Sequence, residues 1–314
     1  MLNTCLSELL EIKYPIFQGG MSYLGNAELA AAVSDAGGLG IISSGSLPPE
    51  WLREQIELAR WLTDKPFGIN IMLRSPFVKE VVKIIIEERV SIVTIGGGNP
   101  EEYLPKLLEA KAKAIPVVSN IALARRLVDA GANALIAEGM EAGGHIGEIS
   151  TFSLVPQLIG EVSVPVIAAG GIADGHGLTA ALSLGANGVQ MGTRFICAEE
   201  CPAHPNFKQK ILAADDQATT VIGQTVGHPI RCLKNQLTQQ YLAMERRGVG
   251  EKELNQLIQG KLYIGLIEGD LENGLLMAGQ VAGLIKEIKS AAAIIEEIIT
   301  QAEVIISASS DKVL

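Results

Sequence analysis

The segment Ala137–Gly147, AEGMEAGGHIG, sets His145, one of only four histidines in the chain, among Gly139, Gly143, Gly144 and Gly147. Imidazole is the side chain best poised to give or take a proton near neutral pH, and glycines leave room beside it for a planar cofactor and a substrate chain. Two further glycine turns suggest what else binds nearby. AAGGIADG carries Gly170 and Gly171, and QMGTRF carries Gly192 and the hydroxyl of Thr193. Backbone N–H groups approach an anion closely at such turns, so the pair reads as a phosphate site; tight turns without a ligand are the alternative. QGGM (Gln18–Met21) adds backbone donors at Gly20 and the Met21 thioether, Asn70 in GINIM can donate and accept at a heterocycle edge, and Glu138 closes its own apolar run. Each alone is an ordinary core or structural residue. Together they describe a phosphate-bearing, flat, polar-edged cofactor such as FMN.

The elements that must position these residues recur regularly. YPIFQ, LGIISS, FGINIM, VSIVTIG, IPVVSN, ALIAEG, VPVIAAGG and GVQMGT are short Val- and Ile-rich runs, each followed by apolar residues at three- and four-residue spacing. Eight alternating units predict a parallel, helix-covered sheet closed into a (β/α)8 TIM barrel. A doubly wound open sheet would show GxGxxG after its first strand, where this chain reads QGGM. In barrels of this kind the site lies at the carboxyl ends of the strands, where all the residues above fall.

A barrel of roughly 250 residues leaves about 60 over. The strand rhythm stops between about Glu199 and Gly274, which predicts a smaller, mainly helical inserted lid. The expected organisation is an FMN-binding barrel over 1–198, a substrate lid over 199–274 and a helical return to the barrel over 275–314. Within the lid, RCLKNQLTQQYLAMERRG and EKELNQLIQG have helical spacing and ECPAHPNF reads as loop. At the end of the chain Ile285, Ile288, Ala292, Ile295, Ile299, Ala302 and Ile306 form one stripe, the expected face of a closing amphipathic helix.

Composition narrows the partners. The 314 residues include 25 basic and 35 acidic, a net charge of −10, which argues against nucleic acid. Aromatic content of 4% with 34 glycines fits an α/β core of small aliphatic side chains. The start lacks a signal-peptide pattern and no long uncharged apolar run follows, so a cytoplasmic protein without a membrane partner is expected. Cys5, Cys197, Cys201 and Cys232 form no CxxC pair and read as reduced; no metal site is expected.

QGGM, KPFGINIML, EGMEAGGHIG, VPVIAAGGIADG, QMGTRF, AHPNFKQKIL, RCLKNQLT and GDLENGLLMAGQVAGL together resemble the flavin-dependent enoyl-(acyl-carrier-protein) reductase II family, within the nitronate monooxygenase (2-nitropropane dioxygenase) superfamily. The resemblance runs from about Tyr14 to Leu284. It implies a homodimeric barrel that binds FMN, takes NADH or NADPH as co-substrate and reduces a trans-2-enoyl thioester on acyl carrier protein in bacterial fatty acid elongation. It also implies stimulation by a monovalent cation such as potassium. His145 would orient the thioester or supply the α-proton. The flavin contacts implied are Gly20, Met21, Asn70, Glu138, Gly143, Gly144, Gly170, Gly171, Gln190, Met191, Gly192 and Thr193. SSGSLPPE departs from a more glycine-rich turn, so Ser43 and Ser44 are expected to alter the flavin pocket, and Pro229 and Cys232 near His228 leave the lid's part in substrate choice open. An acidic carrier meeting an acidic enzyme needs a local basic patch, for which Lys208, Lys210, Arg231, Lys234, Arg246 and Arg247 are candidates and a solvated helix face is the alternative. The competing activity is nitronate monooxygenation with FMN and oxygen. His176, near the start of the helix after the seventh strand, is left out of the site, and the roles of His204 and His228 stay open.

Overall fold

The computed structural model describes residues 2–45 and 47–310; Met1, Ser46 and residues 311–314, within the expected first and last segments, lie outside the described residues. Its strands are β1 (Ile16–Gln18), β2 (Gly40–Ser43), β3 (Phe67–Met72), β4 (Ile92–Gly96), β5 (Lys113–Val118), β6 (Leu135–Glu138), β7 (Gly144–His145), β8 (Val166–Ala169), β9 (Gly188–Met191), β10 (Thr219–Ile222) and β11 (Ile230–Leu233). Eight of them pair in parallel in the order β1-β9-β8-β6-β5-β4-β3-β2. Backbone bonds between Gln18 and Leu39 and between Leu39 and Ile16 bring the two ends together, so the sheet forms a TIM barrel from the eight runs expected.

The two-residue period of the strands sorts their side chains. Phe17, Ile41, Ile92, Ile115, Ile136 and Ile167 fill the barrel interior, with Leu6 and Leu10 of the helix Cys5–Leu10 in the same cluster. Their neighbours Ile16, Ile42, Val93, Leu135 and Val166 face outward and pack under the helices. Several of those helices start at an Asn or Asp whose side chain accepts the N–H three residues on, as Asn26, Asn120 and Asp174 do. On this register Asn70 and Gln190, one residue from the outward Ile69 and Val189, fall on the interior side near the strand ends, as does Glu138 two residues beyond Ile136.

The closing helix spans Ala291–Ser310 and packs against the helices Gly175–Ser183 and Ala27–Asp35. Its buried face is Ala291, Ile294, Ile295, Ile298, Ile299 and Ala302, whereas Ala292 and Ile306 are exposed. The expected stripe is thus corrected: Ile285 and Ile288 precede the helix, and docking between two neighbours widens and rotates its apolar face.

In the insert the helices Gln236–Arg246 and Glu251–Ile258 pack around a small core that includes Ile222, Cys232, Tyr241 and Leu254, whereas Pro205–Leu212 and Lys261–Leu266 bury Phe207, Ile211 and Leu266 in the main core. Two local readings are corrected. The helix beginning at Pro205 takes the end of ECPAHPNF, and the start of RCLKNQLT is β11, the helix following only at Gln236 behind an Asn235 capping box. β10 and β11 form an antiparallel hairpin.

Candidate active site

The cavity at the carboxyl ends of the barrel strands has a volume of about 340 Å³, and Leu262, Leu266 and Met277 close part of it from the insert side. His145, Gly20, Met21, Asn70, Glu138, Gly143, Gly144, Gly170, Gly171, Gln190, Met191, Gly192 and Thr193 all line it. None of the residues picked out from the sequence for this site lies elsewhere.

Its first wall is bare backbone. Gly170 and Gly171 sit at φ +90° and +76°, which L side chains rarely adopt, and a Cβ on Gly170 would lie 2.9 Å from the Ala142 nitrogen and 3.1 Å from the Gly139 oxygen. Beside them the Thr193 hydroxyl accepts the Gly279 N–H at 2.9 Å, which leaves its own proton to donate. That bond also ties MAGQ to the turn after β9. The same stretch presses on EGMEAGGHIG: the Gln280 N–H donates to the Glu141 carbonyl at 3.0 Å, and a Cβ on Gly143 would meet the Ala278 carbonyl carbon at 2.7 Å.

The floor is polar and close-fitted. A Cβ on Gly20 would lie 2.4 Å from the Asn70 Cβ, so QGGM can run over Asn70 only as glycine. Asn70 donates Nδ2–H to the Thr94 hydroxyl at 3.0 Å, which leaves its Oδ1 free to accept. The Ser44 N–H and hydroxyl donate to the Asn70 carbonyl at 3.1 and 2.8 Å, and Ser43 is buried. Neither serine lines the cavity, and Ser44 acts on the pocket by holding Asn70. The Glu138 carboxyl has no hydrogen-bond partner among the described residues, and burial pushes it up to about 7 from 4.5.

The opposite wall carries His145, and it is not the free loop expected. As β7 it pairs antiparallel with β11, Ile230 opposite His145 and Arg231 opposite Gly144, so the insert fixes the backbone of the histidine. Arg231 is buried, with Nε donating to the Met140 carbonyl at 3.0 Å and Nη1 to the Thr219 hydroxyl at 3.2 Å. Burial first, with the charge of the neighbouring Arg74 adding, lowers the His145 pKa from 6.5 to about 4, so its ring is neutral at pH 7.

Two members of the expected basic patch are therefore corrected: Arg231 is a buried strut, and Lys208 is buried with Nζ donating to the Ala198 carbonyl at 2.6 Å. Arg246, Arg247 and Lys234 are exposed and Lys210 half-buried. His228 lies at the mouth, where Nδ1 is 3.1 Å from an Arg74 nitrogen; His204 accepts the Asn206 N–H, and His176 lies beside Gln301 outside the cavity. Arg74, Glu141 and Met277 line the cavity without having been expected there. Glu141 accepts the Thr151 N–H at 2.9 Å and so locks the histidine segment onto the following helix. Glu141 lies within EGMEAGGHIG and Met277 opens MAGQ, so those stretches, as wholes, could have pointed to them; no motif marks Arg74.

A TIM barrel with bare glycine turns at β8 and β9 and a neutral imidazole across the cavity defines a barrel enzyme of the cofactor-binding kind. The family model described as Nitronate monooxygenase matches residues 3–83 and 74–301, and the chain belongs to that family. The structure of FabK from Thermotoga maritima is similar at 48% identity and a TM-score of 0.97, over 99% of this chain and 100% of that one. A probable nitronate monooxygenase from Staphylococcus saprophyticus is 32% identical over 98% of this chain and 99% of its own. A 5-hydroxy-7a-methyl-1-oxo-octahydro-1H-indene-4-carboxyl-CoA dehydrogenase from Mycobacterium tuberculosis is 32% identical over 96% of both chains. No helix among the described residues is long and apolar enough to cross a membrane.

Proposed function

We propose that the chain is an FMN-dependent enoyl-(acyl-carrier-protein) reductase, reducing the double bond of a trans-2-enoyl thioester with NADH or NADPH. The observation that carries this is the likeness to FabK, an enoyl-(acyl-carrier-protein) reductase II, at 48% identity over 99% of the chain. The cavity residues fit FMN. Gly170, Gly171, Gly192 and Thr193 offer a phosphate open backbone and a free hydroxyl proton, Glu138 offers polyol hydroxyls an unpartnered carboxyl, and Asn70 offers a ring edge its free Oδ1. When bound, FMN supplies a two-electron carrier between the nucleotide and the β-carbon of the enoyl group.

His145 acts on the thioester. A ring held neutral is a poor proton donor to carbon but a good hydrogen-bond donor, so it orients the thioester carbonyl and stabilises the negative charge that gathers on that oxygen as the β-carbon is reduced. The α-proton then comes from solvent at the mouth. Met277 and Leu266 give the acyl chain an apolar surface. The exposed Arg246, Arg247 and Lys234, with Lys210, attract the acidic carrier. A cytoplasmic homodimer stimulated by potassium completes this reading; light scattering and turnover in potassium against Tris salts test those two parts.

Nitronate monooxygenation is the second reading, favoured by the family model and the Staphylococcus relative. Anaerobic stopped-flow absorbance of the flavin separates the two. Bleaching by NADH or NADPH and recovery on adding crotonyl thioester is the expected result. A flavin indifferent to both nucleotides but bleached by a nitronate would replace the first reading with the second.

A further inference from the structure

The mouth of the cavity holds a cation that the roles above leave unused. Arg74 lies two residues past the end of β3, lines the cavity and is exposed. Among the described residues no carboxylate pairs with it, and its one hydrogen-bond partner is Nδ1 of His228 at 3.1 Å. His228 comes from the turn between β10 and β11, and its Nε2 lies 3.5 Å from the Glu251 carboxylate. With Arg74 donating to Nδ1, the ring proton sits on Nε2 towards Glu251. The guanidinium thus spans barrel and insert while most of its N–H fork has no protein acceptor.

The backbone next to Arg74 is bare as well. Gly97 lines the cavity at φ +85°; a Cβ there would meet the Met72 sulfur at 2.7 Å and lie 3.7 Å from Arg74 Cγ. Among the described residues its N–H has no acceptor. In the strand order, β3 and β4 stand across the barrel from β8 and β9, so this corner is separate from the Gly170–Gly171 and Gly192 turns. On a chain of net charge −10, an unneutralised fork and a free amide at the entrance suit an anion with several oxygens.

We propose that Arg74, positioned by His228, and the Gly97 amide form a second anion subsite that takes a phosphate of the substrate at the cavity mouth. This rests on the reading under Proposed function and adds to it where the polar arm of the substrate is held. Two sources carry that chemistry: the phosphopantetheine arm of a carrier-bound or coenzyme A thioester, and the pyrophosphate of the nicotinamide dinucleotide. Both present oxygens that a guanidinium engages in bidentate fashion.

The test uses the flavin-loaded protein and compares wild type with Arg74→Gln and Arg74→Lys. Calorimetric titration with phosphopantetheine, pantetheine and NAD+, which carries the pyrophosphate but cannot reduce the flavin, needs no turnover. Loss of a charge-assisted bond should weaken phosphate-dependent binding about tenfold. If the arm is the source, Arg74→Gln weakens phosphopantetheine and leaves pantetheine within about twofold; if the dinucleotide is the source, NAD+ weakens and the arm does not. Arg74→Lys keeps the charge without the fork and should recover part of the loss, and raising the salt should weaken wild type more than Arg74→Gln. Unchanged affinities in all arms, or equal losses for pantetheine and phosphopantetheine with NAD+ unaffected, would overturn the subsite. Flavin bleaching by the nucleotide and recovery with crotonyl thioester are followed in parallel. Turnover without any Arg74-dependent phosphate effect leaves the reductase reading standing and removes the subsite; a phosphate effect without turnover does the reverse.

Discussion

The wall formed by Gly170, Gly171, Gly192 and Thr193 comes from the ends of two adjacent strands, whereas the wall carrying His145 is assembled from segments far apart in the chain. The first depends on φ values that glycine alone adopts readily and on one bond to MAGQ. The second depends on β7 pairing with β11, on Arg231 reaching Met140, and on Arg74 meeting His228. A wall made by local turns can persist while the wall opposite changes with the insert. Relatives of this chain carry different activity names, as expected where function lives in the site and not in the fold.

The largest test of the comparison removes the imidazole. His145→Ala should lower turnover of the enoyl thioester by a hundredfold or more, the effect of losing one preorganised donor, and leave flavin occupancy and bleaching by the nucleotide intact. A parallel fall in occupancy would show that the two walls are not separable.

The floor and the wall carrying His145 titrate in opposite senses. Glu138 has its pKa raised from 4.5 to about 7, so the folded chain binds the extra proton and stability falls as pH rises between those values. His145 is lowered from 6.5 to about 4, so the unfolded chain binds the extra proton and stability rises with pH over that range. Between about 4.5 and 6.5 the contributions offset each other. In the flavin-free protein, Glu138→Gln removes one of them. Its unfolding free energy should climb relative to wild type by about 2–3 kcal/mol across that window, as urea melts at stepped pH would report. Parallel profiles would refute the opposed titration.

Gly170→Ala breaks the first wall where the histidine segment packs against it. A side chain at φ +90° against the Ala142 nitrogen costs about 2 kcal/mol, so FMN should bind roughly 30-fold more weakly, read from flavin retained after dialysis. The smallest effect is at the rim. Arg246→Glu with Arg247→Glu should raise the KM for a carrier-bound thioester a few-fold and leave that for a coenzyme A thioester unchanged, since both side chains are exposed. Equal effects on both substrates would leave the patch no part in docking the carrier.

Much of the fold and all of the lining residues picked out beforehand were legible because their signals are local. Eight β-branched runs with helical segments between them specify a barrel by period alone, and glycine pairs at strand ends mark where the backbone must turn or stand bare. The sequence by itself therefore determined the barrel, the end at which the cavity opens and the presence of His145 there. The tertiary structure alone decided that His145 lies on a strand of the insert's sheet, that Lys208 and Arg231 are buried, that Ala292 faces solvent, and that Arg74 stands at the mouth beside His228. It also decided that Glu138 and His145 shift in opposite directions. Strand pairing and desolvation depend on which distant segments come together, and no spacing within one segment records that.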